Sequence, residues 1–76
     1  MDTAQQIGHG LRVARTRARR TTEEAATHLD VSTATILRWE RGVVAMPAPE
    51  LFKLASFYET TVDGIGKDGG VSVPQG

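Results

Sequence analysis

The sequence predicts an all-α domain of four main helices and a short fifth, without a sheet, followed by a disordered tail. Three observations carry that expectation. Apolar and small residues recur at spacings of three and four, which draws a stripe along a helix. Threonine and serine stand where such stripes begin, and glycine and proline stand where they stop.

The first stripe is Ile7, Leu11, Ala14 and Ala18, which sets a helix from about Ala4 to Arg19. Thr21-Thr22-Glu23-Glu24 then has the form of a capping box, in which the Thr21 hydroxyl accepts from a backbone N–H three residues on while Glu24 reaches back. The second helix starts there, with Ala25, Ala26 and Leu29 inward, and stops near Leu29 because Asp30-Val31-Ser32 reads as a tight turn ending in an N-cap serine. A third helix runs from Thr33 to Arg41, and Gly42 closes it at the position where a left-handed residue ends helices without steric cost. Pro47 and Pro49 bracket the end of a loop from Val43 to Ala48, and helix four follows from Pro49 to Tyr58 with Leu51, Phe52, Leu54, Ala55 and Tyr58 as its core side. Thr60 or Thr61 caps one more short turn carrying Val62 and Ile65, weakened by Gly64. Residues 1–66 thus form the domain, and residues 67–76 form a tail with too few apolar side chains to offset the entropy of ordering it.

Composition narrows the function. A chain of 76 residues makes one domain at most and encloses no sizeable substrate core. It has no cysteine, so neither disulfides nor thiolate metal sites staple it. Met1-Asp2-Thr3-Ala4 lacks the basic and apolar blocks of a secretory signal, and no apolar stretch approaches the ~20 residues of a membrane span. The expectation is a cytoplasmic protein without a membrane partner. Nine basic residues balance nine acidic ones, but not evenly: residues 1–42 hold seven arginines against five acids, and residues 43–76 hold two lysines against four acids. One side of the fold is thereby suited to phosphate, unless the charges only solubilise the surface.

Residues 21–42 carry the chemistry. Two short capped helices joined by a three-residue turn cross steeply, so the second projects its outer face while the first braces it. On helix three, Ile36, Trp39 and Glu40 share one face, which leaves Thr33, Ala34, Leu37, Arg38 and Arg41 on the other. Short side chains at the N-terminal end allow close approach to base edges in a major groove, and arginine is the commonest specific partner of guanine.

The block from Thr21 to Gly42, and above all Ile36-Leu37-Arg38-Trp39-Glu40-Arg41-Gly42, resembles the Cro and phage-repressor (XRE-like) helix-turn-helix domains. The resemblance covers about Ile7 to Gly66. It implies a compact five-helix, lambda-repressor-like fold and a homodimer on double-stranded DNA. It also implies base contacts from Thr33, Ala34, Thr35 and Arg38, with Thr22 and the start of helix two on phosphate. Ser32 at the N-cap of helix three and Arg41 at its end complete the DNA-binding set. It further implies an internal ion pair between Arg15 and Glu40; the alternative is that both are surface charges. Four departures stand out: Thr22 where the family often has glutamine, Ala25 for a larger aliphatic, Asp30 for the turn glycine, and an apolar loop Val43-Val44-Ala45-Met46-Pro47-Ala48 where relatives place basic residues. That loop either lowers affinity for DNA or meets a protein.

Other signals carry less. Gly64-Ile65-Gly66-Lys67-Asp68-Gly69 matches a dinucleotide-binding pattern, but no strand precedes it. His9 and His28 stand without further ligands at metal spacing, so no metal or other cofactor is expected. Ser32, His28 and Asp30 hold the atoms of a catalytic triad, yet capping and turn chemistry account for them, and no enzyme is expected. Arg12, Arg15, Arg17, Arg19 and Arg20 split around helix one; Arg12 and Arg19 are either a phosphate face or ordinary solvated residues. The sequence therefore points to a transcriptional regulator, a repressor by preference, that reads DNA with Thr33 to Arg41. The rival is a protein-interaction module of the same fold that uses the Val43-Ala48 loop and helix four as an antagonist or adaptor.

Overall fold

A computed structural model describes residues 3–70 of the chain. Five helices follow one another: α1 (Thr3–Arg17), α2 (Thr22–Leu29), α3 (Thr33–Arg41), α4 (Ala48–Phe57) and α5 (Val62–Asp68), with no strand among the described residues. Helix α1 is the central element, packed against α5 and α3, while α2 lies on α3 and α4. Leu11, Ile36, Leu54 and Ile65, one from each of four helices, are the largest fully buried side chains, and Ala25 of α2 is sealed beside them. Ala25 and Trp39 both belong to this core.

The helix ends repeat one device. At Arg19, Asp30, Gly42 and Glu59 the backbone turns left-handed. In each case the next residue's N–H reaches back five residues, as from Arg20 to the Arg15 carbonyl at 3.0 Å and from Val31 to Ala26 at 3.0 Å. This satisfies carbonyls that the helix leaves free and fixes the exit direction. Asp30 takes the glycine's role through the short polar side chain that eases entry to this region. Arg19 has no such aid, and its turn shortens α1 to Arg17 where the apolar stripe implied Arg19. Glu59 ends α4 in the same way at Phe57, one residue before the Tyr58 implied by sequence, and the helix opens at Ala48 because Pro47 is its N-cap.

Two further differences concern packing. Phe52 does not join the core but is 65% exposed, because it lies about 100° around α4 from Leu51 while Leu54, Ala55 and Tyr58 cluster on the other side. Helix α5 continues to Asp68, and Gly69 is buried against α1, so the ordered chain passes Lys67, where sequence placed the start of the tail. The reason is a close seam: a Cβ on Gly10 would overlap the Ile65 carbonyl oxygen, and one on Gly69 would overlap that of Gln6. Only glycine lets these backbones meet. The tail expected over residues 71–76 lies outside the described residues.

Candidate nucleic-acid interface

The turn between α2 and α3 is built by capping. The Thr21 hydroxyl accepts from the Glu24 N–H at 3.0 Å, and Glu24 Oε1 accepts from the Thr21 N–H at 2.9 Å, closing the box at the head of α2. These backbone and side-chain bonds to Thr21, with Arg20 alongside, hold the Glu24 carboxyl below the usual carboxylate range. At the head of α3, Ser32 Oγ accepts from the Thr35 N–H at 3.2 Å and lies 2.9 Å from the Thr35 hydroxyl. Two capped helices separated by Asp30, Val31 and Ser32 therefore hold a fixed angle, with α3 packed through Ile36 and Trp39.

With 100° between successive residues, the inward direction of α3 set by Ile36 and Trp39 places Ala34, Arg38 and Arg41 on the outward side. All three are exposed, and Thr33, Thr35 and Leu37 are half-buried beside them. Short residues at the N-terminal end and two arginines farther along thus form one continuous strip. Not every sequence-based contact is equally free. The Thr35 hydroxyl is drawn to Ser32, and Thr22 Oγ1 donates to Glu23 Oε2 at 3.3 Å. The first turn of α2 also carries Glu23 and Glu24, charges that oppose a phosphate there.

Beneath the strip, Arg15 and Glu40 form a two-point pair: Nε donates to Oε2 at 2.7 Å and Nη2 to Oε1 at 3.2 Å. Arg15 Nη1 also donates to the Arg20 carbonyl at 3.0 Å, so one guanidinium joins the segment after α1 to Glu40 near the C-terminal end of α3. The side chains are 17% and 6% exposed. The bond to Glu40 raises the affinity of the Arg15 guanidinium for its proton, against the opposing effect of burial. Gly8 permits this contact between helices, since a Cβ there would lie 2.5 Å from the Trp39 and Glu40 carbonyl oxygens.

Pairing sorts the other arginines. Arg17 reaches Asp68 at 3.3 Å and Arg20 reaches Glu24 at 3.4 Å, whereas Arg12, Arg19, Arg38 and Arg41 have no ion-pair partner among the described residues. Arg12 and Arg41 line the same groove of about 270 Å³, together with Leu37 and the Arg15–Glu40 pair. Sequence spacing left Arg12 undecided, because its neighbourhood is made by a residue of another helix.

The remaining sequence signals have structural employment. His28 stacks on Phe57 with ring centroids 4.2 Å apart, and the Arg20 guanidinium lies 4.5 Å from the Phe57 centroid on the same ring. Ser32 is an N-cap, and the glycine pattern from Gly64 falls within α5 and its end. No group of three or more His, Cys, Asp or Glu among the described residues is placed to hold a metal ion. No helix among them is long and apolar enough to cross a membrane.

A second face is apolar. Ile7, Leu11, Trp39, Val44, Met46 and Leu51 line another groove of about 270 Å³. Beside it in the chain, Val43 is 68% exposed.

Two capped helices across a tight turn, the second presenting arginines outward, define a DNA-binding regulatory domain. Comparison with protein families agrees: a helix-turn-helix domain family matches residues 6–65, and the chain belongs to that family. No curated protein and no solved structure matches the chain.

Proposed function

We propose that the chain is a sequence-specific transcriptional repressor of the XRE-like kind, acting in the cytoplasm by occupying an operator in double-stranded DNA. The observation that carries this reading is the outward strip of α3, with exposed Ala34, Arg38 and Arg41 on a helix whose opposite side is locked into the core. Helix α3 enters the major groove. Thr33, Ala34, Thr35 and Arg38 read base edges, while Ser32 and Arg41 meet the backbone, as does Thr22 once its hydroxyl leaves Glu23. One recognition helix reads only about four or five base pairs, so the chain binds as a homodimer with half-sites about 34 Å apart.

Binding titrations at several salt concentrations test the division of labour. Arg38→Ala costs about 1–3 kcal/mol on DNA from upstream of the gene and flattens discrimination at one base pair. Arg41→Ala weakens that DNA and random duplex about equally and lowers the salt slope by about one per bound protomer. A footprint over a single half-site at saturation would exclude the dimer.

A second reading is favoured by the apolar groove and by the exposed Val43, Val44 and Phe52: a protein-interaction module that uses the Val43-Ala48 loop and α4. It replaces the first if neither arginine substitution alters DNA binding while Val44→Asp or Met46→Asp abolishes activity in cells.

A further inference from the structure

We infer that Arg12 of α1 and Arg41 of α3 together clamp one DNA phosphodiester, in the groove they share beside the end of the recognition helix. This deepens the DNA-binding reading above and rests on it. Three observations combine. Arg12 and Arg41 both line one groove of about 270 Å³, and neither has an ion-pair partner among the described residues. The only carboxylate among the described residues lining that groove, Glu40, is spent on Arg15 through two hydrogen bonds, so the floor is neutral and the field in the groove is set by Arg12 and Arg41. The third wall is Leu37, an apolar side chain that excludes water from one side and so strengthens charge-assisted bonds formed there.

The ligand chemistry follows from this lining. Two fork-shaped donors around a confined space match a tetrahedral monoanion with two free oxygens, each guanidinium taking one. On DNA that group is the backbone phosphate, and the groove adjoins the last turn of α3, the part of a recognition helix that runs against the backbone and not the bases. The Arg15–Glu40 pair acquires a second task. Besides joining α1 to α3, it removes a negative charge from the place a phosphate enters. Because one oxyanion is held from two helices, neither arginine holds it alone.

The test is a salt titration of binding to random-sequence duplex and to DNA from upstream of the gene. Arg12→Ala, Arg41→Ala and the double variant are compared with Arg12→Lys and Arg19→Asn. Arg19→Asn serves as control because Arg19 is also unpaired but lies outside the groove, and asparagine tolerates its left-handed backbone. The clamp predicts that each alanine variant loses about tenfold in affinity on both DNAs. It also predicts that the singles and the double all lower the salt slope by about one per bound protomer, for one phosphate each. Arg12→Lys keeps most of the slope, and Arg19→Asn changes neither quantity. If Arg12→Ala binds like the parent while Arg38→Ala and Arg41→Ala weaken binding, the clamp is wrong and the DNA reading stands. A slope loss of about two per bound protomer in the double variant means two separate phosphates and likewise overturns the clamp. If none of the arginine variants changes binding, both the clamp and the DNA reading fall. Thermal melts monitored through Trp39, the single tryptophan, separate lost binding from lost folding.

Discussion

Replacing Arg15 by alanine removes the cation from a pair whose carboxylate is the more buried partner, at 6% exposure against 17%. Glu40 is then left without either of the hydrogen bonds that now satisfy it. Breaking one partner of a buried pair typically costs about 3–5 kcal/mol, whereas an exposed pair is worth ~1 kcal/mol or less. Arg15 retains some contact with water, which favours the lower end, about 3 kcal/mol. A domain of this size has roughly 4–11 kcal/mol of total stability, so the loss consumes much of the margin. At about 4–8 °C per kcal/mol for small domains, the melting temperature falls by about 12–24 °C. Urea unfolding followed by the fluorescence of buried Trp39 gives the free energy directly, and the urea dependence should keep its slope. Glu40→Gln should cost less, because Arg15 still donates to the Arg20 carbonyl and is better hydrated. A double replacement, Arg15→Met with Glu40→Leu, should recover most of the loss, since apolar substitutes for a buried pair are often neutral or stabilising. A loss below about 0.5 kcal/mol in Arg15→Ala, or a larger loss in Glu40→Gln, would show that the pair does not hold α1 to α3.

Two other perturbations address the frame that carries α3. Thr21→Ala should lower stability by about 1 kcal/mol by opening the capping box, read by chemical denaturation. The same box gives a pH signature. The folded-state pKa of Glu24 is depressed, so its contribution is complete above the unfolded carboxylate value near 4.3 and is lost as pH falls through the folded value. Glu24→Gln, whose amide oxygen still accepts from Thr21, should flatten the stability profile in that acidic window, and an unchanged profile would remove the box from the account. Gly10→Ala sets two effects against each other. Alanine favours a helix interior by up to about 1 kcal/mol, but its Cβ would meet the Ile65 carbonyl, and overpacking costs typically about 1–3 kcal/mol. A net loss is expected, and a rise in melting temperature would show that α1 and α5 can part cheaply.

The features that depend on residues within a turn or two of each other are legible in the amino-acid order alone. The capping box at Thr21 and Glu24, the Ser32 cap, the Gly42 stop and the bounds of α3 follow from local hydrogen bonding and sterics. So does the outward direction of Ala34, Arg38 and Arg41, because helical geometry places them opposite Ile36 and Trp39. Tertiary structure decided the rest. Phe52 is as apolar as its core neighbours on α4, and only the fit of α4 against the other helices leaves it in solvent. The end of α5 is ordered because Gly69 meets α1, a contact 63 residues back along the chain at Gln6 that no periodicity records. Arg19 and Glu59 enter the left-handed region against their own preference, since the helices that follow must fold back onto the core. Arg12 has an i,i+3 neighbour in Arg15, but its partner in the groove is Arg41, on another helix. Local pattern expresses what a residue does to its own helix; which charges are spent in pairs and which face one another is set where the helices cross.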